Sequence, residues 1–298
     1  MKRLCIACLA LGSAAAQAHL DGGGSTRGSW FAGLSWFVLL GCAALYVAGV
    51  RRLWQGSSVA RGLPPWRVTA FCVGWLVLVA ALAPQVEELS RVSFAAHMAQ
   101  HEVLMLVVAP LLVVGKPLAV FVWGMPLAMR HAVFRPFRTA GWQTLWRWLV
   151  TPLVAWSLHA LVLWSWHTPA WFEAGLRHAA VHDLQHACFL FSALIFWWAL
   201  VRRRPDHIAV LYVLTTLLHT GFLGALLTFA PSVWYTTYRD AVNPWGHTPL
   251  ADQQLGGLIM WVPAGIVFML AGLLMLALWL RVLEQPRHVA WSPRGEKS

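Results

Sequence analysis

An all-α membrane bundle of about seven transmembrane helices, N-terminus out and C-terminus in, is the fold class that the sequence predicts. Apolar runs of about 20 residues, long enough to cross a hydrocarbon core of about 30 Å, recur from one end of the chain to the other. Hydrophobic residues make up 59% of the 298 and charged residues 11%, which leaves no stretch with the composition of a soluble domain. Lysine and arginine fall on alternate connections between the runs, as the positive-inside rule requires.

The elements follow in chain order. Met1-Lys2-Arg3, the apolar residues 4–16 and Ala16-Gln17-Ala18 have the charged start, apolar centre and small-x-small end of a secretory signal, so residues 1–18 are expected to be a cleaved signal peptide. Cys5 and Cys8 fall inside it, and their C-x-x-C spacing is therefore read as accidental. Cys42, Cys72 and Cys188 lie in apolar segments, where a cysteine behaves as a small hydrophobe. Residues 19–29 are expected to form a flexible periplasmic leader. The glycine-rich stretch 21–25 within it is no phosphate loop, because neither a strand nor a Lys-Ser/Thr pair follows. The membrane domain then occupies residues 30–282, with spans at approximately 30–50, 68–84, 94–114, 149–167, 178–201, 207–230 and 255–282, and a cytoplasmic tail covers 283–298.

The basic residues test this topology. The connections assigned inside carry Arg51, Arg52, Arg61 and Arg67, then Lys116, Arg130, Arg135, Arg138 and Arg147, then Arg202, Arg203 and Arg204, then Arg281, Arg287, Arg294 and Lys297. Those assigned outside carry Arg27, Arg91, Arg177 and Arg239 alone. The formal charge of +11 is thus topological and gives no reason to expect nucleic acid as a partner. Residues 118–129, punctuated by Pro117 and Pro126, are too short to span and are expected to be interfacial or re-entrant on the inner side. Trp30, Trp66, Trp146, Trp148, Trp166, Trp171 and Trp234 sit near the predicted span ends and are expected to form an aromatic belt among the lipids.

Ionisable groups inside a bilayer cost several kcal/mol unless paired, so histidines within spans invite a functional reading. His97 and His101 open the third span at i, i+4 and share one helical face, with Met98 beside them. His178, His182 and His186 open the fifth at i, i+4 and i+8. His167 ends the fourth span, Asp252 opens the seventh, and the topology collects all of these in one outer layer, with His159 and His219 deeper. Imidazole suits copper, zinc, iron and nickel, thioether favours Cu(I), and a carboxylate can orient a ligating imidazole. His131, His207, His247 and His288 are read as plain surface residues. Hydrolase chemistry finds no support: Gly-x-Ser-x-Gly is absent, and His101-Glu102 lacks the second histidine of a zincin motif.

Four stretches taken together carry a resemblance. They are His97-Met-Ala-Gln-His101 with Pro110 beyond it, Trp166-His167-Thr-Pro169, His182-Asp-Leu-Gln-His186 with Trp197-Trp198, and Asp252-Gln-Gln-Leu-Gly-Gly-Leu-Ile-Met-Trp261. In this order they resemble the CtaG-type cytochrome c oxidase assembly factors over about residues 68 to 282. The resemblance implies a non-enzymatic, multi-pass protein of the bacterial inner membrane that binds copper, expected as Cu(I), and helps deliver it to the oxidase catalytic subunit. Periplasmic copper chaperones and membrane lipid are the further partners it implies. His97, His101, His167, His182, His186 and Asp252 match by position; His159, His178 and His219 rest on topology alone. The family often has Met after the second histidine, where this chain has Glu102. A haem-binding redox protein and a metal or proton transporter using His159 and His219 are the alternatives.

Overall fold

The structure, a computed structural model, describes residues 26–55 and 63–284. The expected signal peptide, most of the leader and the tail beyond Glu284 lie outside them. Among the described residues the regular structure is entirely helical.

Helix α1 is Thr26–Gln55, which begins inside the stretch expected as leader. Helix α2 is Pro65–Ala81 and α3 is Pro84–Val92, bent 53° away from it. The span α4, Phe94–Val114, contains a π-helical stretch at Val103–Val108. Two eight-residue helices, α5 Pro117–Gly124 and α6 Leu127–Phe134, replace the 118–129 segment, and neither is long enough to cross. Helices α7, Ala140–Leu149, and α8, Pro152–Trp166, bend 69° apart where a single span over 149–167 was expected. Then come α9 Pro169–Arg177, α10 Ala179–Arg202, α11 His207–Thr228 and α12 Pro249–Glu284. Proline at the first helical turn of α2, α3, α5, α8 and α9 sets φ where the missing N–H costs nothing.

Five helices are long and apolar enough to span a membrane, or up to seven if each bent pair is one span. Their outward faces carry lipid-type side chains such as Leu161, Leu218, Phe222 and Leu273, all more than half exposed. The chain is therefore a membrane protein. Trp66, Trp148 and Trp171 project outward as a belt would. Trp166 does not, being 4% exposed and packed in the core.

Lipid tails are as apolar as leucine, so helices in a bilayer hold together by close packing and hydrogen bonds. Helices α11 and α12 meet at Gly224 and Gly257, where a Cβ on Gly257 would lie 2.5 Å from the Thr228 amide nitrogen and 2.8 Å from the Gly224 carbonyl oxygen. Backbone cannot yield as a side chain can. Gly257→Ala is expected to lower stability by about 1–3 kcal/mol, an overpacking cost read as an earlier thermal transition in detergent, while the exposed Gly141→Ala is neutral.

The π-helical stretch has a cause in the sequence. Its register runs from the Ala109 amide to the Leu104 carbonyl, five residues back. The next such bond would come from residue 110, a proline without an N–H. The Met105 carbonyl is met instead by the Trp197 indole N–H at 2.9 Å, which ties α4 to α10 immediately below the histidines.

Candidate metal centre

Helices α4 and α10 cross with their histidine faces turned to each other. His97, His101, His182 and His186 each offer one ring nitrogen, and these four atoms lie within 4.8 Å of one another. All four side chains are buried, from 0% exposed at His97 to 8% at His186. A tetrahedral ion with metal–nitrogen bonds of about 2.0–2.1 Å needs ligand atoms roughly 3.3 Å apart. His97 Nε2 and His101 Nε2 are 3.0 Å apart, so closure on an ion takes shifts of about an ångström, not refolding.

The hydrogen bonds around the group fix which nitrogens are free. Tyr238 donates its hydroxyl proton to the Ser90 carbonyl oxygen at 2.8 Å, so at 3.0 Å it accepts from His97 Nδ1–H. That leaves the lone pair of His97 Nε2 pointing at His101. Glu87 accepts from His182 Nδ1–H at 3.0 Å, and His182 Nε2 is buried without a partner. His186 Nε2 is buried and unpartnered as well. Outer hydrogen bonds of this kind hold metal-ligating imidazoles in one tautomer and raise their basicity. Of the four buried imidazoles, His101, His182 and His186 each leave a ring nitrogen without a partner, and such a set has the donor chemistry for a transition-metal ion.

Glu87 sits on the polar helix α3, beyond the apolar run 68–84. Burial pushes its carboxyl up, but the hydrogen bond from His182 and the nearby Arg91 guanidinium outweigh that and hold it well below the usual carboxylate range. It is an anion at neutral pH, 28% exposed, at the edge of the centre. Neither Glu87 nor Tyr238 was singled out from the sequence. Glu87 belongs to a short amphipathic helix and Tyr238 to the single turn Thr236–Tyr238, and no helical spacing links either to the histidines. Phe172 on α9 and Phe189 on α10 close over the rings, 5.0 Å from His97 and 4.6 Å from His101.

The other expected site residues are placed apart from this group. His178 is exposed and in extended conformation ahead of α10, so the helical stripe begins at His182. His167 donates Nδ1–H to the Leu163 carbonyl at 2.6 Å, leaves Nε2 buried and unpartnered, and packs on the Phe189 ring that also meets His101, but its ring nitrogens stand outside the four-nitrogen group. Asp252 is 3% exposed but turned to the start of α4, where it accepts from the Ser93 hydroxyl at 2.8 Å and the Phe94 amide at 2.6 Å. Met98, one residue off the histidine face, packs in the apolar core toward Gly256 of α12. His159 bonds Ser192 at 3.0 Å, deeper along α10, and His219 lies edge-on to Trp156 with both nitrogens unpartnered. Glu102, buried next to His101, has one carboxyl oxygen without a partner and stands outside the four-nitrogen group.

A family model described as cytochrome c oxidase caa3 assembly factor (Caa3_CtaG) matches residues 44–282. Uncharacterized proteins of Mycobacterium bovis and Mycobacterium tuberculosis are each 29% identical over 265 residues, covering 84% of this chain and 38% of theirs. One of Mycobacterium leprae is 26% identical over 270 residues, covering 84% of this chain and 40% of its own. The chain thus spans about two fifths of the length of these relatives. No solved structure matches it.

Proposed function

The chain belongs to the cytochrome c oxidase caa3 assembly factor family, and from that premise we propose that it takes part in oxidase maturation by holding Cu(I) in the four-histidine centre and passing it toward the catalytic subunit. The observation that carries this reading is the buried group of four imidazoles with two outer hydrogen bonds already set for metal. Charge favours a monovalent ion. Among the residues touching the imidazoles Glu87 carries the formal negative charge, and one Cu(I) balances it where a divalent ion would leave an excess in a poorly solvated place. An all-nitrogen set without thiolate binds Cu(I) firmly but gives it up to a softer or better-shaped acceptor, as a delivery protein must. The positive-inside count orients the histidine end toward the periplasm of a bacterial inner membrane, where copper chaperones would load it.

Helix ends that converge on four packed rings favour this over a haem. The cleft beside the rings measures about 170 Å³, below the roughly 300–1,000 Å³ of small-molecule pockets. A transporter would place its site at the midplane between broken half-helices. The four-histidine group instead lies at the starts of two continuous spans.

The reading is tested by metal analysis of purified full-length protein under reducing conditions, together with the copper content of the oxidase in cells lacking or carrying it. About one Cu(I) per chain and a copper-poor oxidase in its absence are expected. Protein that binds zinc tightly and Cu(I) not at all overturns it. Glu87→Gln and Tyr238→Phe are each expected to weaken Cu(I) affinity by about 10–100-fold with unchanged stoichiometry, measured by competition with a chromogenic chelator.

A further inference from the structure

We propose that the ion enters and leaves the four-histidine centre through the cleft between α3 and the α9–α10 corner, with His182 the first imidazole it meets. This rests on the metal-centre reading above and adds its route. The cleft is lined by Glu87, Arg91, Gly175, Arg177, Ala179 and His182 among others. Its volume of about 170 Å³ leaves room for several waters, enough for a partly hydrated ion.

His97 and His101 are closed off, and His186, 8% exposed, lies one turn beyond His182 and does not line the cleft. His97 and His101 are 0% and 1% exposed, covered by Tyr238, Phe172 and Phe189. His182 forms the inner wall of the cleft, and Glu87 reaches from solvent to its Nδ1. A carboxylate on the wall offsets part of the cost of bringing a cation out of water. The guanidiniums of Arg91 and Arg177 stand on the rim, 63% and 58% exposed, each paired with the glutamate one turn before it. Solvent and those partners screen them. Gln185, wholly buried against Gly175, leaves both amide atoms without a protein partner. Two such atoms under a polar cleft call for water, and water is what a moving ion sheds and regains.

Ala179 is exposed on the rim and touches none of the hydrogen bonds that set the histidines. Full-length protein in detergent, supplied with Cu(I) and then challenged with a chromogenic Cu(I) chelator, reads loading and release as rates. Ala179→Trp, which fills the mouth, is expected to slow both by about tenfold or more while the copper held at saturation stays as in wild type. A second variant guards against misfolding. In Ala179→Cys, a charged methanethiosulfonate reagent should slow exchange to the same degree, and a phosphine reductant should restore it, while wild type is unaffected by the reagent. Unchanged rates in the folded, modified variant overturn the route and leave the metal centre standing. Wild-type protein that takes up no copper overturns the centre, and the route with it.

Discussion

Purified protein carrying His97→Ala and His101→Ala together is expected to retain less than about a tenth of the copper held by wild type, because two of four ligands leave from one helical face. The remaining pair, His182 and His186, are one turn apart with ring centroids 4.2 Å from each other. Two adjacent imidazoles on one rigid helix cannot surround an ion. The fold should survive, since the lost rings bond mainly one another and Tyr238 keeps its bond to the Ser90 carbonyl. Size-exclusion behaviour and far-ultraviolet circular dichroism check that survival. Copper retained at wild-type levels in the double variant would place the ion elsewhere and end the proposal. His178→Ala, by contrast, should leave copper binding unchanged, because that residue is exposed ahead of the helix.

The second large effect is structural. Asp252→Ala is expected to destabilise the protein by about 3 kcal/mol, since hydrogen bonds to a charged group contribute about 1.5–3 kcal/mol each and two buried donors lose their acceptor. The carboxylate binds the Ser93 hydroxyl and the Phe94 amide at the first turn of α4, where the helix dipole favours negative charge. His97 begins the next turn, so the anchor also sets the height of the centre. Asp252→Asn keeps the shape and loses less. Thermal unfolding in detergent should fall for both, and saturating copper should still reach wild-type stoichiometry. A stable Asp252→Ala protein that binds no copper would make Asp252 a ligand instead of a helix anchor.

Between the sequence and the folded chain the agreement is closest where one helix carries the whole signal. The spacing of His97 with His101 and of His182 with His186 is fixed by 3.6 residues per turn, and each pair faces one way whatever surrounds it. The apolar runs are legible for the same reason, because bilayer thickness dictates their length. Pro110 and Trp197 illustrate a weaker kind of legibility. Both stand out in the sequence, but their connection through the Met105 carbonyl requires the π-helical register.

What the sequence by itself determined is a helical membrane protein, the apolar runs from which its spans are built, and two histidine pairs on two separate helices. Only the tertiary structure decided that those two pairs face each other, that His178, Asp252 and Met98 turn elsewhere, and that Glu87 and Tyr238 hold the imidazoles from outside. Periodicity is a property of one helix and survives in the order of residues. The crossing of α4 with α10, and the reach of α3 and the 236–238 turn across them, depend on packing between segments far apart in the chain, for which no local spacing codes.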